Sequence, residues 1–231
     1  MRVAIVENTK ATHHGQVGVA LHEAAAVIDL YKPWRDGVLP ARGSFDALVS
    51  FGGEQNALDD HSHPYLPALG ALMAETAAGG TAVLGICLGS QVFARGLGAE
   101  NQIGTATELG WCEVTKHLEG RADAVLGALP DQFSVMQWHS DTFTLPPGAS
   151  HLAHSAAAAV QCFRYGRAGY GMQFHFEASR AVARDWRARF PDLIERAAPG
   201  WLADFSQHEA AHGAVADGLG LAIARAWVRQ I

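Results

Sequence analysis

The sequence predicts an α/β fold, with three layers: a mostly parallel, twisted sheet and helices on both of its faces. Short apolar runs alternate with helix-compatible segments through the first part of the chain, and strands that alternate with helices favour a parallel sheet. One apolar run also leads directly into a Gly-x-Cys-x-Gly turn and then into a helix. Of the 231 residues, 49% are hydrophobic and 17% are charged, which is typical of a globular protein with a large core.

The elements of the first part follow from the spacing of apolar residues and from glycine breaks. Apolar runs predict strands over residues 2–7, 28–31, 46–51 and 81–86. Helical spacing predicts helices over residues 17–27, 66–78 and 90–97. Gly52-Gly53 ends the third strand, and Gly79-Gly80 ends the second helix. This order predicts a sheet whose carboxyl edge carries the Gly52-Gly53 turn and the cysteine turn.

The character of the chain changes after about Gly98. Short runs over residues 113–115, 133–138, 160–165 and 170–174 predict strands that extend or flank the sheet. A helix is expected from about Ala178, and the alanine-rich segment 201–231 is also expected to be helical. Since the sequence contains no repeat and no linker-like stretch, we expect one domain over residues 1–190 and a C-terminal helical extension over 191–231 packed on it.

Charge and cysteine content narrow the functional class. The net charge of −6 argues against nucleic acid or an anionic membrane as the main partner. No apolar stretch is long enough to span a bilayer, and the N-terminus has the pattern of a short strand and not that of a signal peptide. The three cysteines, Cys87, Cys112 and Cys162, do not form a disulfide framework, so a cytoplasmic location is expected.

The turn around Cys87 carries the clearest chemical signal. In the segment Gly85-Ile-Cys87-Leu-Gly89-Ser-Gln91 a buried strand runs into a cysteine and then into a helix, the pattern of a nucleophile elbow. Flanking glycines keep side chains out of a tight turn, and the N-terminus of a helix favours the thiolate. We therefore expect Cys87 to be the nucleophile of an acyl-transfer enzyme.

A nucleophilic cysteine needs a base, an orienting group and donors for an oxyanion. The segment Gln173-Phe-His175-Phe-Glu177 offers a base and an acid, and period-two spacing at the end of a strand predicts His175 and Glu177 on one side. The main-chain N–H of Leu88, directly after the nucleophile, is the expected first oxyanion donor. The Gly52-Gly53 turn could present the second.

Five motifs, in this order along the chain, resemble those of the class I (triad) glutamine amidotransferases, especially the glutaminase domain of GMP synthase and its free-standing relatives. They are Gly52-Gly53, Gly85–Gln91, Gly110-Trp111, Trp138-His-Ser-Asp141 and Gln173–Glu177. The resemblance implies a flavodoxin-like sheet and the triad Cys87, His175 and Glu177. It also implies that the oxyanion hole is formed by Gly53 and Leu88, and that substrate is held by Gly52, Gln91, His139, Ser140 and Asp141. No metal or organic cofactor is implied.

The sequence departs from this family at three positions and lacks one domain. Glu54 and Phe176 stand where the family often has proline, and Ser140 stands where glycine is common. The Ser-Gly-Gly-x-Asp-Ser loop of the ATP-pyrophosphatase domain of GMP synthase does not occur. The expected reaction is hydrolysis of L-glutamine to glutamate and ammonia, with ammonia passing to a separate synthetase subunit or to no acceptor.

Three alternatives remain open from the sequence. The first is a γ-glutamyl peptidase or hydrolase that acts on γ-glutamyl amines or peptides. The second is a regulatory or binding module without activity. The third comes from His208-Glu-Ala-Ala-His212, which matches the His-Glu-x-x-His pattern of zinc proteases but is followed by neither Glu nor His up to Ile231.

Overall fold

The computed structural model describes residues Met1–Ile231 and contains a nine-stranded sheet and a separate two-stranded one. The strands are β1 Arg2–Val6, β2 Val27–Tyr31, β3 Ala47–Ser50, β4 Ala82–Ile86, β5 Asn101–Gln102, β6 Glu108–Lys116, β7 Gln132–His139, β8 Thr142–Phe143, β9 Ser150–His154, β10 Cys162–Tyr165 and β11 Gly169–Met172. The helices are α1 Gly15–Glu23, α2 Pro33–Asp36, α3 Leu66–Ala78, α4 Leu88–Gly96, α5 Leu118–Arg121, α6 Arg180–Arg189, α7 Pro191–Ala197, α8 Trp201–His208 and α9 Ala214–Val228.

The large sheet is parallel at one side and antiparallel at the other. Its strand order is β2-β1-β3-β4-β11-β10-β9-β6-β7. Strands β2, β1, β3, β4 and β11 pair in parallel, and the strands from β10 to β7 pair antiparallel with their neighbours. The carboxyl ends of β3, β4 and β11 therefore lie side by side at one edge of the sheet.

Two hydrophobic cores cover the two faces of this sheet. Val3 and Ile5 of β1 belong to a core that includes residues of α1 and α9, whereas Ala4 and Val6 belong to a core with residues of α3 and α4. Successive strand residues point to opposite faces, so a fully apolar strand such as β1 serves both cores. This is the three-layer α/β architecture predicted from the sequence.

Several predicted boundaries were wrong, although the elements exist. The first helix ends at Glu23, because Ala25 has a φ of +52° and the chain then enters β2 at Val27. The last strand ends at Met172 and not at residue 174. The predicted strand over 113–115 is the middle of the longer β6, and β5, β8, β9, α2, α5 and α7 were not predicted.

The C-terminal segment is helical but interrupted. Helices α8 and α9 are joined by a π-helical turn over Glu209–Gly213. Buried residues of α9, among them Ile223, Ala224 and Trp227, belong to the same core as Val3 and Ile5. None of the helices combines the length and the apolar character needed to cross a membrane.

Candidate active site

The tight turn between β4 and α4 holds Cys87 in a strained conformation. Cys87 has φ +52° and ψ −114°, and its N–H donates to the Met172 carbonyl oxygen at 2.8 Å. A Cβ on Gly89 would lie 2.0 Å from the Ser50 carbonyl oxygen, and one on Gly85 would lie 2.5 Å from the Gly89 carbonyl oxygen. Both positions therefore require glycine, as the elbow pattern predicts.

His175 reaches the same site from a bend beyond β11. Its N–H donates to the Met136 carbonyl oxygen at 2.8 Å, and its Nδ1 lies 2.7 Å from Oε1 of Glu177. Because a carboxylate accepts, Nδ1 carries a hydrogen, which leaves Nε2 for the Cys87 side chain, with which His175 is hydrogen-bonded. The prediction that these two residues share one side of a strand was wrong, since Glu177 lies in a turn. A bend produces the pairing that we attributed to strand periodicity.

The surroundings of His175 favour its charged form. Burial alone would lower its pKa, but the negative charges of Glu177 and Cys87, and hydrogen bonds with both side chains, raise the pKa of His175 well above 6.5. An imidazolium beside Cys87 stabilises negative charge on sulfur by Coulomb attraction in a site with little water. The arrangement can therefore hold a thiolate next to a proton donor.

Two unpaired main-chain donors lie beside the thiol. The N–H groups of Gly53 and Leu88 donate to no other group of the chain. A Cβ on Gly53 would lie 2.8 Å from Cδ2 of Leu88, and one on Gly52 would lie 3.1 Å from Cε1 of His175. The absence of side chains at positions 52 and 53 thus lets two loops meet closely, and their free N–H groups are suited to an oxyanion.

A cleft of about 580 Å³ opens onto Cys87. The residues predicted to hold substrate line it, together with the predicted triad and oxyanion donors: Gly52, Gly53, Cys87, Leu88, Gln91, His139, Ser140, Asp141, His175 and Glu177. Nε2 of Gln91 is already bonded to Oε1 of Gln173 at 3.1 Å and to the Asp141 carbonyl at 3.3 Å. Only Oε1 of Gln91 is therefore free to face a ligand.

A second buried histidine–carboxylate pair supports the loop at Asp141. Nε2 of His139 lies 3.1 Å from Oε2 of Glu108, and its Nδ1 lies 3.0 Å from the Asp141 carbonyl oxygen. A carbonyl oxygen only accepts, so Nδ1 carries a hydrogen. The bond to Glu108 then needs a second hydrogen, on Nε2 or on the carboxyl group. Sequence reasoning missed Glu108, whose only local signal is its position two residues before Gly110-Trp111.

Aromatic side chains form one wall of the cleft. The Trp186 ring meets the His175 ring edge to face with centroids 5.0 Å apart, and Trp138 lies 5.4 Å from Trp186 and 5.7 Å from Phe190. Sequence reasoning interpreted Trp186 and Phe190 as core residues, but both line the cleft. Trp138 also presents its carbonyl oxygen 3.8 Å from Sγ of Cys87.

The remaining sequence signals lie in several places. Glu54 lines the cleft and accepts from Thr9 at 3.3 Å. Trp111 packs against Trp201 and Phe205, away from the cleft. In the His-Glu-x-x-His segment, His208 stacks on Trp201 and Glu209 pairs with Arg184 at 2.7 Å. No group of three histidine, cysteine or acidic side chains in the structure is arranged to hold a metal ion.

Comparison with known sequences identifies relatives of this chain. Residues 62–185, more than half of the chain, match the family model for glutamine amidotransferase class-I. The glutamine amidotransferase-like protein YfeJ of Salmonella typhimurium is 31% identical over 60% of this chain, a match that spans only 59% of YfeJ. A glutamine-hydrolysing subunit of GMP synthase from Natronomonas pharaonis is 28% identical over 79% of this chain and 91% of its own length.

Comparison with solved structures extends this likeness to the whole chain. A glutamine amidotransferase of Thermotoga maritima superposes with a TM-score of 0.84 and 28% identity, over 99% of this chain and 98% of its own. The family-model match covers the elbow and the His-x-Glu segment, and the structural match includes both hydrophobic cores. The chain belongs to the class I glutamine amidotransferase family.

Proposed function

We propose that this protein hydrolyses the γ-carboxamide of L-glutamine to glutamate and ammonia through a γ-glutamyl thioester on Cys87. The observation that carries the proposal is the bond between Nδ1 of His175 and Glu177, at 2.7 Å, with Cys87 on the other side of the ring. This is the arrangement of nucleophile, base and orienting acid that acyl transfer requires.

In the first half of the proposed reaction the thiolate of Cys87 attacks the carboxamide carbon, and a C–S bond forms. The carbonyl oxygen becomes an oxyanion, which accepts from the N–H groups of Gly53 and Leu88. The imidazolium of His175 then gives its Nε2 proton to the amide nitrogen. The C–N bond breaks, ammonia leaves, and the glutamyl group stays on sulfur.

In the second half water replaces ammonia beside His175. The now neutral Nε2 takes a proton from this water as its oxygen attacks the thioester carbon, and the same two N–H groups receive the second oxyanion. The C–S bond breaks, which releases glutamate and restores the thiolate and the imidazolium. Glu177 keeps Nδ1–H oriented throughout and stabilises the positive ring.

The identity of the ammonia acceptor is a separate part of the proposal. The N. pharaonis relative is named as a subunit of GMP synthase. By this likeness we propose that a separate synthetase subunit receives the ammonia. A partner of this kind would stimulate glutamine hydrolysis when mixed with the protein, whereas a self-sufficient glutaminase would show the full rate alone.

The experiment that tests the reaction measures glutamate and ammonia release from L-glutamine. The wild type is expected to release equal amounts of both, and Cys87→Ala should lose at least about 1000-fold in rate. Hydroxylamine added during turnover should trap the glutamyl thioester as a γ-hydroxamate. Unchanged activity in Cys87→Ala would rule out the thioester mechanism.

A further inference from the structure

We infer that the cleft has a second subsite, for the leaving group, which takes a bulky apolar amine bearing a carboxylate. The substrates would then include γ-glutamyl conjugates of large apolar amino acids. The inference rests on the proposed chemistry at Cys87 and extends it from glutamine to a wider class of γ-glutamyl amides. The observations that carry it are the aromatic wall and one unpaired cation, Arg196.

The aromatic wall begins where the leaving group must be. The departing nitrogen has to lie next to His175, because that ring supplies its proton. The Trp186 ring packs directly on the His175 ring, and Trp138 and Phe190 continue the wall away from it. Ammonia has no apolar surface to bury against these rings, whereas a benzyl or isobutyl group has.

Helix α7 extends the wall with an apolar side chain and a cation. Leu193, Arg196 and Ala197 all line the cleft, and their spacing places them on one face of this helix. Leu193 is 41% exposed, although it faces a cavity that also contains Trp186 and Phe190. An exposed leucine at the mouth of an aromatic cleft is available for contact with a ligand.

Arg196 is an exposed cation without a partner in the chain. Most arginines of this protein are paired with a carboxylate, and Arg196 is not. Its neighbour Glu195 instead accepts from the N–H of Gly200 at 2.9 Å. A guanidinium can bind a carboxylate through two parallel hydrogen bonds. An amino acid as leaving group supplies that carboxylate next to its apolar side chain.

The size of the cleft fits this assignment. A volume of about 580 Å³ lies in the range of sites that enclose ligands considerably larger than glutamine. The glutamyl group would lie between Cys87, Gln91 and Asp141. The second amino acid would occupy the space between Trp186 and Arg196. Its amide bond would be cleaved by the same steps as that of glutamine, with the free amino acid leaving in place of ammonia.

The test compares γ-glutamyl-phenylalanine with γ-glutamyl-phenethylamine, which has the same ring but no carboxylate. We expect the wild type to hydrolyse both and to prefer the first by at least about fivefold in kcat/KM, since an exposed charge-assisted pair contributes modestly. In Arg196→Gln this preference should fall to about one. Arg229→Gln is the matched control, because Arg229 is also exposed and unpaired with any carboxylate but lies outside the cleft. It should keep the wild-type preference.

A binding measurement keeps the test independent of turnover. Cys87→Ala should bind γ-glutamyl-phenylalanine more tightly than γ-glutamyl-phenethylamine in calorimetry, and Cys87→Ala/Arg196→Gln should bind both equally. If the wild type hydrolyses glutamine but shows no preference in either assay, the subsite is disproved and the glutaminase proposal stands. If Cys87→Ala shows the preference but the wild type cleaves no γ-glutamyl compound, the subsite is supported and the proposed chemistry fails.

Discussion

The Cα of Gly15 lies directly against the main-chain carbonyl oxygen of Glu177. A Cβ at position 15 would be 1.9 Å from that oxygen, and Gly15 has a φ of +45°. The next residue, Gln16, donates its N–H to the same oxygen at 3.0 Å. The first turn of α1 therefore fixes the main chain of the residue that orients His175.

Replacing Gly15 should disturb the site as well as the fold. We expect Gly15→Ala to displace Glu177 and to lower kcat at least about tenfold, since small misplacements of positioned groups are costly. The control is Gly37→Ala, where φ is +71° but no atom lies within 4 Å. Gly37→Ala should cost only the backbone strain, about 1–2 kcal/mol, with kcat unchanged. Equal kcat values for the two variants would contradict this role of Gly15.

Two glycines of α9 provide a matched stability test. A Cβ on Gly220 would lie 2.0 Å from the Phe176 carbonyl oxygen, whereas nothing lies within 4 Å of one on Gly218. Gly218→Ala should raise the free energy of unfolding by roughly 0.5–1 kcal/mol through helix propensity. Gly220→Ala should lower it by about 1–3 kcal/mol through overpacking. Urea unfolding followed by circular dichroism distinguishes these outcomes. Shifts of the same sign would show that α9 does not pack this closely on the segment between His175 and Glu177.

The charge of Glu177 should set the pH range of activity. It is one of the causes that hold the pKa of His175 well above 6.5 against the effect of burial. The proposed reaction needs the imidazolium, so activity is lost as pH rises through that pKa. Glu177→Gln removes the negative charge, lowers the pKa of His175 and should move this loss to lower pH, with kcat reduced about 100-fold or more. A pH profile of kcat for both proteins checks the shift, and an unmoved alkaline limb would contradict it.

The pair of His139 and Glu108 should act on substrate binding through the loop that ends at Asp141. Glu108→Ala leaves Nε2 of His139 buried without its partner, and we expect KM for glutamine to rise about tenfold with a smaller change in kcat. Glu108→Gln should be milder, because its amide can donate to a neutral Nε2. Alkylation of Cys87 by a small haloacetamide controls for intact folding. If Glu108→Ala keeps the wild-type KM, the pair does not position this loop.

The residues found by sequence reasoning and those it missed differ in how they reach the cleft. The elbow at Cys87 was predictable because its requirements are local: a strand, two glycines and a helix within a few residues. The His-x-Glu pair was found for a partly wrong reason. Its spacing was noticed as strand periodicity, but a bend after Met172 forms the contact. Trp186 and Arg196 carry no local signal, since an aromatic or basic residue on a helix is compatible with many positions.

The sequence by itself determined the α/β class, the alternation of strands and helices in the first part of the chain, and the cysteine turn, because hydrophobic period and glycine placement act over short distances. Tertiary structure decided which residues meet at Cys87. The order β4-β11 places the end of the last strand beside the elbow, and the antiparallel strand β7 brings Trp138 and His139 to the same cleft. The contacts of Gly15 with Glu177, Trp186 with His175 and Glu108 with His139 join segments that are distant or unpatterned in the chain. They exist only because the sheet order and the helix packing bring those segments together.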